Sequence, residues 1–328
     1  RAIGAQAGLV VGPESVVTGA QLDAWSDEEF HGRVDQISIY ARVEPRHKIR
    51  IVNAWQARGE VVAMTGDGVN DAPALKAADI GIAVGSGTEV AKQSSDMVIL
   101  DNNLGTITAA IEEGRVIFDN IRKATVYLLA DSFTEIVLIG GSIFMGLPIP
   151  LLPAQILWIN LVADSLPNVG LTLEPGEKDV MSLPPRPRNE AVLNKEMLTI
   201  IFVIGIVTDL VLFIMYLWLL RTGENIETIR TIMFAAVGID SLLYIFAVKS
   251  FRQTIFRINP FGNLWLLAGV GIGFALMALA LVHPFFQSVF QVVPLTMSAW
   301  GLLLLIGMMK LGAIELTKEF FLFRRAAN

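Results

Sequence analysis

The pattern of apolar and polar positions changes near residue 123 of this 328-residue chain. Up to that point, apolar and charged residues mix over short distances, as they do in globular domains. Beyond it, the chain consists mostly of long apolar runs. The two patterns predict a soluble N-terminal part followed by a membrane-embedded part.

Short apolar runs alternate with helical patterns in the first part. The runs predict strands at 36–42, 61–67, 79–85 and 97–101, and the segments between them predict helices at 45–59, 71–79 and 88–96. Apolar strands that alternate with helices favour a parallel sheet covered on both faces, an α/β doubly wound fold. A further helical pattern runs from residue 104 into the apolar part without a strong stop signal.

The second part contains six apolar runs, at 124–147, 151–173, 197–220, 231–248, 264–282 and 293–311. Each has roughly the 17–25 residues that a helix needs to cross the hydrocarbon core of a bilayer. The alternative is six buried helices of a soluble protein, which would require more polar faces than these runs contain. The pattern therefore predicts an all-α bundle of six transmembrane helices.

Positive charge is distributed unequally among the connections between these runs. Three segments carry most of it, through Lys178, Arg186, Arg188 and Lys195, then Lys249, Arg252 and Arg257, and finally Lys318, Arg324 and Arg325. The first and fifth connections have no Lys or Arg, and the third has only Arg221 and Arg230. By the positive-inside rule, we expect the soluble part and the C-terminus to be cytoplasmic.

Composition excludes several classes of function. The net charge of −6 argues against a nucleic-acid surface, so no nucleic-acid partner is expected. The absence of cysteine excludes disulfides, a thiol nucleophile and a thiolate metal site within this chain. The first residue is Arg within a helix-like segment, so we expect the chain to be part of a longer protein.

The segment MTGDGVNDAP, at 64–73, places polar residues where a strand ends and a helix begins. Its polar and glycine positions are Thr65, Gly66, Asp67, Gly68, Asn70 and Asp71. Ligands of α/β sheets bind beyond the carboxyl ends of the strands, and glycines there let a phosphate approach the backbone. Carboxylates at such an end suit Mg²⁺ shared between protein and phosphate oxygens, and Lys48 supplies a cation for a phosphoryl group. Taken one at a time, Asn70 and Asp71 are better explained as helix caps and Lys48 as a solvated side chain, and it is their order in one segment that favours the phosphate site.

Ionisable residues interrupt the apolar runs. Asp131 and Glu135 lie four residues apart in the first run, as do Asn160 and Asp164 in the second, where we expect Pro167 to break the helix and free carbonyl oxygens. The third and fourth runs contain Asp209 and Asp240. Such groups usually face a bundle interior, and their oxygens suit Ca²⁺ as well as Na⁺ or protons. The alternative is hydrogen-bonded packing, above all for Asp209.

The segments ARVEPRHK, MTGDGVNDAPALKAADIGIAVGSGTEVAKQSSDMVI, QILWINLVADSLP and RPRNEAVL closely resemble P-type cation-transporting ATPases of the calcium-pump subgroup. The resemblance implies a partial haloacid-dehalogenase-like Rossmann domain with its stalk helix at 1–121, and the pump's last six membrane helices at 122–328. It also implies that Asp67 and Asp71 belong to a Mg²⁺ site. In that family, the residues matching Asn70 and Lys48 bind the phosphoryl group transferred from ATP.

The same resemblance implies a set of ligands for the transported cation. Glu135, Asn160 and Asp164 match ligand positions of calcium pumps, and Asp240 replaces a glutamate. Ser132 stands in place of an asparagine, Ala163 in place of a threonine, and Asp131 is an additional carboxylate. We expect Ca²⁺ as the cargo, and the extra carboxylate leaves H⁺, Na⁺ or K⁺ as the alternative.

The family's phosphate-accepting motif Asp-Lys-Thr-Gly-Thr does not occur in this chain. We therefore expect the chain to be inactive alone and to complete a multi-pass pump of the plasma membrane together with a missing N-terminal half. Two other hypotheses remain. A membrane-anchored phosphatase would need a nucleophilic aspartate that the segment AGLVVGPES lacks, and a non-catalytic membrane partner of an intact pump would need none.

Overall fold

A computed structural model describes residues 6, 8–9, 12, 15–103, 105–187, 190–199 and 205–327, without the side chains of 196, 207–208, 310 and 321–327. The chain divides into two compact units, Arg1–Glu112 with Pro184–Glu190, and Glu113–Leu183 with Ala191–Asn328. Of the sequence features above, Arg188, the side chains of Arg324 and Arg325, and part of the third apolar run lie outside the described residues.

The first unit has α/β architecture. Its elements, in chain order, are β1 (Val16–Thr18), α1 (Gly19–Ala24), α2 (Asp27–Arg33), β2 (Ile39–Ala41), α3 (Pro45–Ala57), β3 (Ala63–Gly66), α4 (Ala72–Ala77), β4 (Ile80–Val84), α5 (Glu89–Gln93) and β5 (Met97–Ile99). Every strand and helix predicted between residues 36 and 101 is present, although the strands are shorter than predicted. The additional strand β1 was not predicted.

The strands form two parallel ladders within the described residues, rather than the single sheet that was predicted. β1 pairs with β2, and β3, β4 and β5 form a three-stranded sheet in that order. The first ladder packs on an apolar cluster around Leu22 and Phe30. The second packs on a smaller one around Leu75 and Ala83.

Helix α3 carries Lys48 in its first turn. Pro45 begins the helix because its missing amide and fixed φ suit the first helical position. The ring nitrogen Nδ1 of His47 accepts a hydrogen bond of 2.9 Å from the Glu44 amide, which fixes the entry of the chain into the helix. Gly59, with a φ of 87°, ends it in the left-handed conformation that glycine adopts without strain.

All regular elements among the described residues of the second unit are helices. Its elements are α6 (Gly105–Glu135, which begins in the first unit), α7 (Gly141–Phe144), α8 (Pro153–Trp158), α9 (Leu166–Thr172), α10 (Lys195–Thr199), α11 (Ile206–Arg221), α12 (Ile226–Val248), α13 (Leu264–Val282), α14 (Pro284–Phe290) and α15 (Met297–Ala327). Two π-helical segments, Ile136–Gly140 and Ile159–Ser165, join α6 to α7 and α8 to α9.

Among the described residues, four helical stretches are long and apolar enough to cross a membrane: Gly105–Phe144, Ile226–Val248, Leu264–Val282 and Met297–Phe320. They contain most of the first, fourth, fifth and sixth predicted runs. The second run is divided into α8, a π-helical segment and α9, and the third is described only as α10 and α11. Helix α12 lies at the centre of the unit, since 89% of its most apolar stretch is buried.

The prediction that Pro167 breaks its helix is wrong, because the chain stays helical through the π segment and into α9. The prediction that Pro167 leaves a backbone carbonyl without its helical donor is nevertheless consistent with the structure. Pro167 has no amide to donate to the Ala163 carbonyl four residues earlier. The Tyr127 hydroxyl donates to that carbonyl instead, at 3.0 Å.

Candidate functional site

The predicted phosphate-linked residues lie together at the carboxyl end of β3. Thr65 and Gly66 end the strand, and a short 3₁₀ turn, Val69–Asp71, leads into α4. The Asp71 amide donates to the Gly68 carbonyl at 3.0 Å, which closes this turn. Because the turn is so tight, the side chains of the segment are brought to one edge of the sheet.

Asp71 is the buried member of this group, with 6% of its surface exposed. Its Oδ1 accepts a hydrogen bond from the Lys48 ammonium of α3. Its Oδ2 accepts hydrogen bonds from the amides of Asp67 and Gly68, each at 3.3 Å. Burial raises the pKa of Asp71, but the Lys48 ammonium and the two amides outweigh that effect and hold the pKa below its ordinary value of 3.8.

Gly66 is required by the position of Asp71. A Cβ atom at Gly66 would lie 2.5 Å from the Cβ atom of Asp71, closer than two carbon atoms can approach. The sequence pattern suggested that this glycine makes room for a phosphate. The structure gives it a second role, which is to let the Asp71 side chain fold back beneath the strand end.

Thr65, Asp67 and Asn70 are exposed around this buried carboxylate. The open carboxylate of Asp67 fits a Mg²⁺ ion that takes its other ligands from phosphate and water. Asp71, predicted as a second metal ligand, already has both oxygens in hydrogen bonds and is better placed to position Lys48 and the turn. Among the described residues, no group of three or more His, Cys, Asp or Glu side chains is arranged to hold a metal ion.

A second polar group lies inside the helical unit, where α6, the π-helical segment Ile159–Ser165 and α12 meet. Asp131 and Asp164 are each 4% exposed, and their carboxyl groups are in hydrogen-bonding contact. The Ser241 hydroxyl lies 2.7 Å from Oδ1 of Asp131 and 2.5 Å from Oδ1 of Asp164. Three segments that are far apart in the chain therefore converge on one pair of acidic side chains.

Glu135 lies one helical turn beyond Asp131, at the point where α6 gives way to a π-helical segment. The Asn160 side chain lies close enough to interact with its carboxylate, and Asp131 acts on it electrostatically. The Oε1 atom of Glu135 is buried, and no described residue donates a hydrogen bond to it. A buried carboxylate oxygen in this state suits a cation ligand.

The other predicted ligands differ in burial and in their partners. Ser132 is exposed, and its hydroxyl donates to the Leu128 carbonyl of its own helix at 2.9 Å. Asp240 is buried in α12, and its neighbour Ser241 contacts the acidic pair. Asn160 is exposed although Asp164 is buried, because the wider turn of a π-helix separates residues four apart.

Asp209 forms a separate buried contact. Its Oδ1 accepts a hydrogen bond of 2.7 Å from the Thr134 hydroxyl, and neither residue is exposed to solvent. This contact joins α11 to α6 one residue before Glu135. It is consistent with the packing role that the sequence left open for Asp209.

Replacing Thr134 with valine should destabilise the helical unit by roughly 0.5–2 kcal/mol, since valine keeps the volume but removes the hydroxyl that Asp209 accepts from. The measurement is the thermal denaturation midpoint of the detergent-solubilised protein. Thr125→Val is the matched control, because the Thr125 hydroxyl donates only to the Ile121 carbonyl of its own helix, at 2.8 Å. Equal effects of the two substitutions would contradict the assigned role of Thr134.

Sequence reasoning missed three hydroxyl groups of this region, on Tyr127, Thr134 and Ser241. Each lies beside or one helical turn from a predicted acidic residue, which is the only signal that the sequence offers. A hydroxyl inside an apolar run usually bonds to its own backbone. Only the packing of the helices distinguishes these three from that default.

Comparisons with known proteins agree with this two-part arrangement. The family model described as the C-terminus of cation transporting ATPases matches residues 148–320, more than half of the chain. Models of haloacid dehalogenase-like hydrolases match residues 8–79 and 49–111.

The curated relatives include several pumps. The chain is 42% identical over 298 residues to a calcium-transporting ATPase of Bacillus subtilis, covering 89% of this chain and 33% of the relative. It is 38% identical over 321 residues to calcium-transporting ATPase 1 of Yarrowia lipolytica, covering 98% of this chain and 34% of that relative. It is 37% identical over 305 residues to the probable cation-transporting ATPase F of Mycobacterium bovis, covering 91% of this chain and 34% of that relative.

The chain thus spans about a third of the length of these relatives. Within that third, the match runs from the haloacid dehalogenase-like segment through the helical unit. The chain belongs to the cation-transporting ATPase family.

Proposed function

We propose that this chain is the C-terminal part of an ATP-driven pump that works through an aspartyl phosphate and exports Ca²⁺. The observation that carries the proposal is the pairing of two sites in one chain. The first site is the end of β3, with the exposed Asp67 and the Lys48–Asp71 pair. The second lies on helix α6, which follows in the chain and contains Asp131 and Glu135. The family uses Mg²⁺ and ATP in general, and we extend this to the longer protein that carries this chain.

At the strand end, Lys48 and Asp71 act together on the transferred phosphoryl group. The Lys48 ammonium has three donors, of which Asp71 takes one, so the others remain for phosphoryl oxygens. Asp71 fixes the position of that ammonium because two backbone amides hold its other oxygen. The exposed Asp67 and Asn70 would hold Mg²⁺ and phosphate, and Mg²⁺ bound there would offset the negative charge of the phosphoryl group. The accepting aspartate comes from another part of the longer protein.

In the helical unit, the acidic cluster receives the cargo. Asp131, Glu135 and Asp164 supply carboxylates and Asn160 supplies an amide, all of them hard oxygen donors suited to Ca²⁺. The three carboxylates are not already arranged around an ion in the described residues, so binding would draw Glu135 toward the Asp131–Asp164 pair. Two carboxyl groups in contact, as Asp131 and Asp164 are, need a cation or a proton between them. The extra carboxylate of Asp131 therefore keeps a pump for H⁺, Na⁺ or K⁺ as the second candidate.

We further infer six membrane crossings, with the strand-bearing unit and the C-terminus in the cytoplasm and the pump in the plasma membrane. Four candidate spans and the distribution of Lys and Arg support this arrangement. The helical stretch from α8 to α9 and the pair α10–α11 supply the other two crossings.

The test uses the longer protein that carries this chain, expressed in membrane vesicles. With radiolabelled ATP and Mg²⁺, we expect an acid-stable, hydroxylamine-sensitive phosphoprotein whose formation depends on micromolar Ca²⁺. Dependence on Na⁺, K⁺ or pH in place of Ca²⁺ would select the monovalent candidate. No phosphoprotein under any of these conditions would reject the pump and favour a non-catalytic partner.

A further inference from the structure

Ser241 occupies an unusual position for a serine in an apolar helix. It lies near the middle of α12, with 1% of its surface exposed. Its hydroxyl contacts carboxylates from two other segments, at 2.7 Å from Asp131 and 2.5 Å from Asp164, and lies 3.3 Å from the Tyr127 hydroxyl. It is thus surrounded by acceptors that belong to other helices.

Four other hydroxyl groups of the helical unit behave differently. They donate to the carbonyl four residues earlier in their own helix, as a serine or threonine in an apolar helix commonly does. These pairs are Ser132 with Leu128, Ser142 with Leu138, Thr231 with Glu227 and Thr317 with Ala313. Ser241 instead directs its hydroxyl to the acidic pair, so its position reflects the cluster and not a local backbone bond.

The cluster needs a neutral oxygen, and two expected sources do not supply one. Ser132 faces away from the cluster, as described above, and position 163 is an alanine whose carbonyl accepts from Tyr127 at 3.0 Å. Ca²⁺ takes about six to eight oxygen ligands, of which carboxylates provide only some. Ser241 is the neutral hydroxyl placed between Asp131 and Asp164.

A hydroxyl can take part in such a site both when it is empty and when a cation is bound. It has one proton and two lone pairs, so it can donate to only one of the two carboxylates at a time. When a cation lies between the carboxylates, rotation of the proton away turns a lone pair toward the cation. The short contacts to both acidic residues place the Ser241 oxygen within reach of any ion that they share.

We propose that Ser241 is a direct oxygen ligand of the transported cation and a determinant of its selectivity for hard divalent ions. This inference rests on the proposed function, because it assumes that the acidic cluster is the cargo site. It adds a residue that comes from the central helix of the unit and connects the carboxylates of α6 and the π-helical segment Ile159–Ser165.

The test compares four variants of the longer protein in membranes: Ser241→Ala, Ser241→Thr, Ser241→Cys and Ser142→Ala. The readouts are equilibrium binding of radioactive Ca²⁺ without ATP and competition by Cd²⁺. We expect Ser241→Ala to weaken Ca²⁺ binding about tenfold, as the loss of one good polar contact does, and Ser241→Thr to retain it within about threefold. Ser142→Ala is the matched control, because that buried hydroxyl donates to its own helix at 2.6 Å.

Ser241→Cys separates a ligand from a packing residue. A thiol keeps the size of the side chain but is a soft ligand, so we expect weaker Ca²⁺ binding together with stronger competition by Cd²⁺ than in the unmodified protein. The chain has no cysteine of its own, so this thiol would be unique within it. A structural role alone would not increase the preference for Cd²⁺.

Two outcomes would overturn the inference, and they differ. If the unmodified protein binds Ca²⁺ and Ser241→Ala binds it equally well, Ser241 is not a ligand, whereas the proposed function stands. If the unmodified protein binds no Ca²⁺ and forms no cation-dependent phosphoprotein, the proposed function fails and the role of Ser241 fails with it.

Discussion

Replacing Asp71 with asparagine is expected to lower phosphoprotein formation in the longer protein by at least about a hundredfold. Asparagine has the shape of aspartate but presents an NH₂ group on one side. That group would face either the Lys48 ammonium or the amides of Asp67 and Gly68, which are all donors. In either orientation a donor faces a donor: in one, Lys48 loses its acceptor, and in the other, the two backbone amides that hold the side chain lose theirs. Both orientations also remove the negative charge that attracts the Lys48 ammonium. The measurement is the initial rate of phosphorylation from radiolabelled ATP.

The same substitution should destabilise the strand end locally, by about 1–3 kcal/mol at neutral pH, because it leaves buried donors unsatisfied. Hydrogen exchange of the amides in β3 and α4 measures this effect. The pKa of Asp71 is lowered in the folded state, so its stabilisation is present above pH 3.8 and is lost as the pH falls through the folded-state pKa. The difference between the two proteins should therefore shrink in acid.

Asp67→Asn is the control for this prediction. The Asp67 side chain is exposed, so this change should raise the Mg²⁺ concentration needed for phosphorylation without altering hydrogen exchange in β3. If Asp71→Asn left both phosphorylation and local exchange unchanged, the Lys48–Asp71 pair would have no part in positioning the site.

The sequence predicted the elements of the first unit well, because their signals are local. The Pro45 start and Gly59 end of α3 depend on backbone preferences that hold wherever the helix packs. The division into two ladders was not predictable, since strand pairing depends on contacts far apart in sequence. β1 lies in an apolar run of only two residues, Val16 and Val17, which is too short a pattern to identify as a strand.

The sequence identified the acidic residues of the proposed cargo site but not its hydroxyl groups, and the reason is physical. An acidic residue within an apolar run is expensive in a membrane, so Asp131 and Asp164 stood out, and the structure brings them together. A serine in the same place costs little, so Ser241 gave no comparable signal. The exposure of Asn160 depends on a π-helical turn, which the spacing of four residues does not indicate.

Two buried carboxylates of the helical unit, those of Asp209 and Asp164, have different surroundings. Asp209 lies in α11 and accepts from Thr134, whereas Asp164 lies against Asp131 and Ser241. Both are buried aspartates in apolar helices, and Asp164 has a second acidic group, Asp131, in contact. The charge of Asp164 is thus available to a shared cation, and the two residues offer a matched comparison.

Asp164→Asn is expected to abolish the cation dependence of phosphoprotein formation at micromolar Ca²⁺, because the apparent Ca²⁺ affinity falls by at least about a hundredfold. The asparagine amide can still bond to Ser241 and Asp131, so the packing is kept while one negative charge is removed. The measurement is phosphorylation from ATP across a range of Ca²⁺ concentrations. Asp209→Asn, an equally buried substitution, should change that affinity by no more than about threefold. An unchanged Ca²⁺ response in Asp164→Asn would remove Asp164 from the cargo site, and the acidic pair would then be a structural contact between two helical segments.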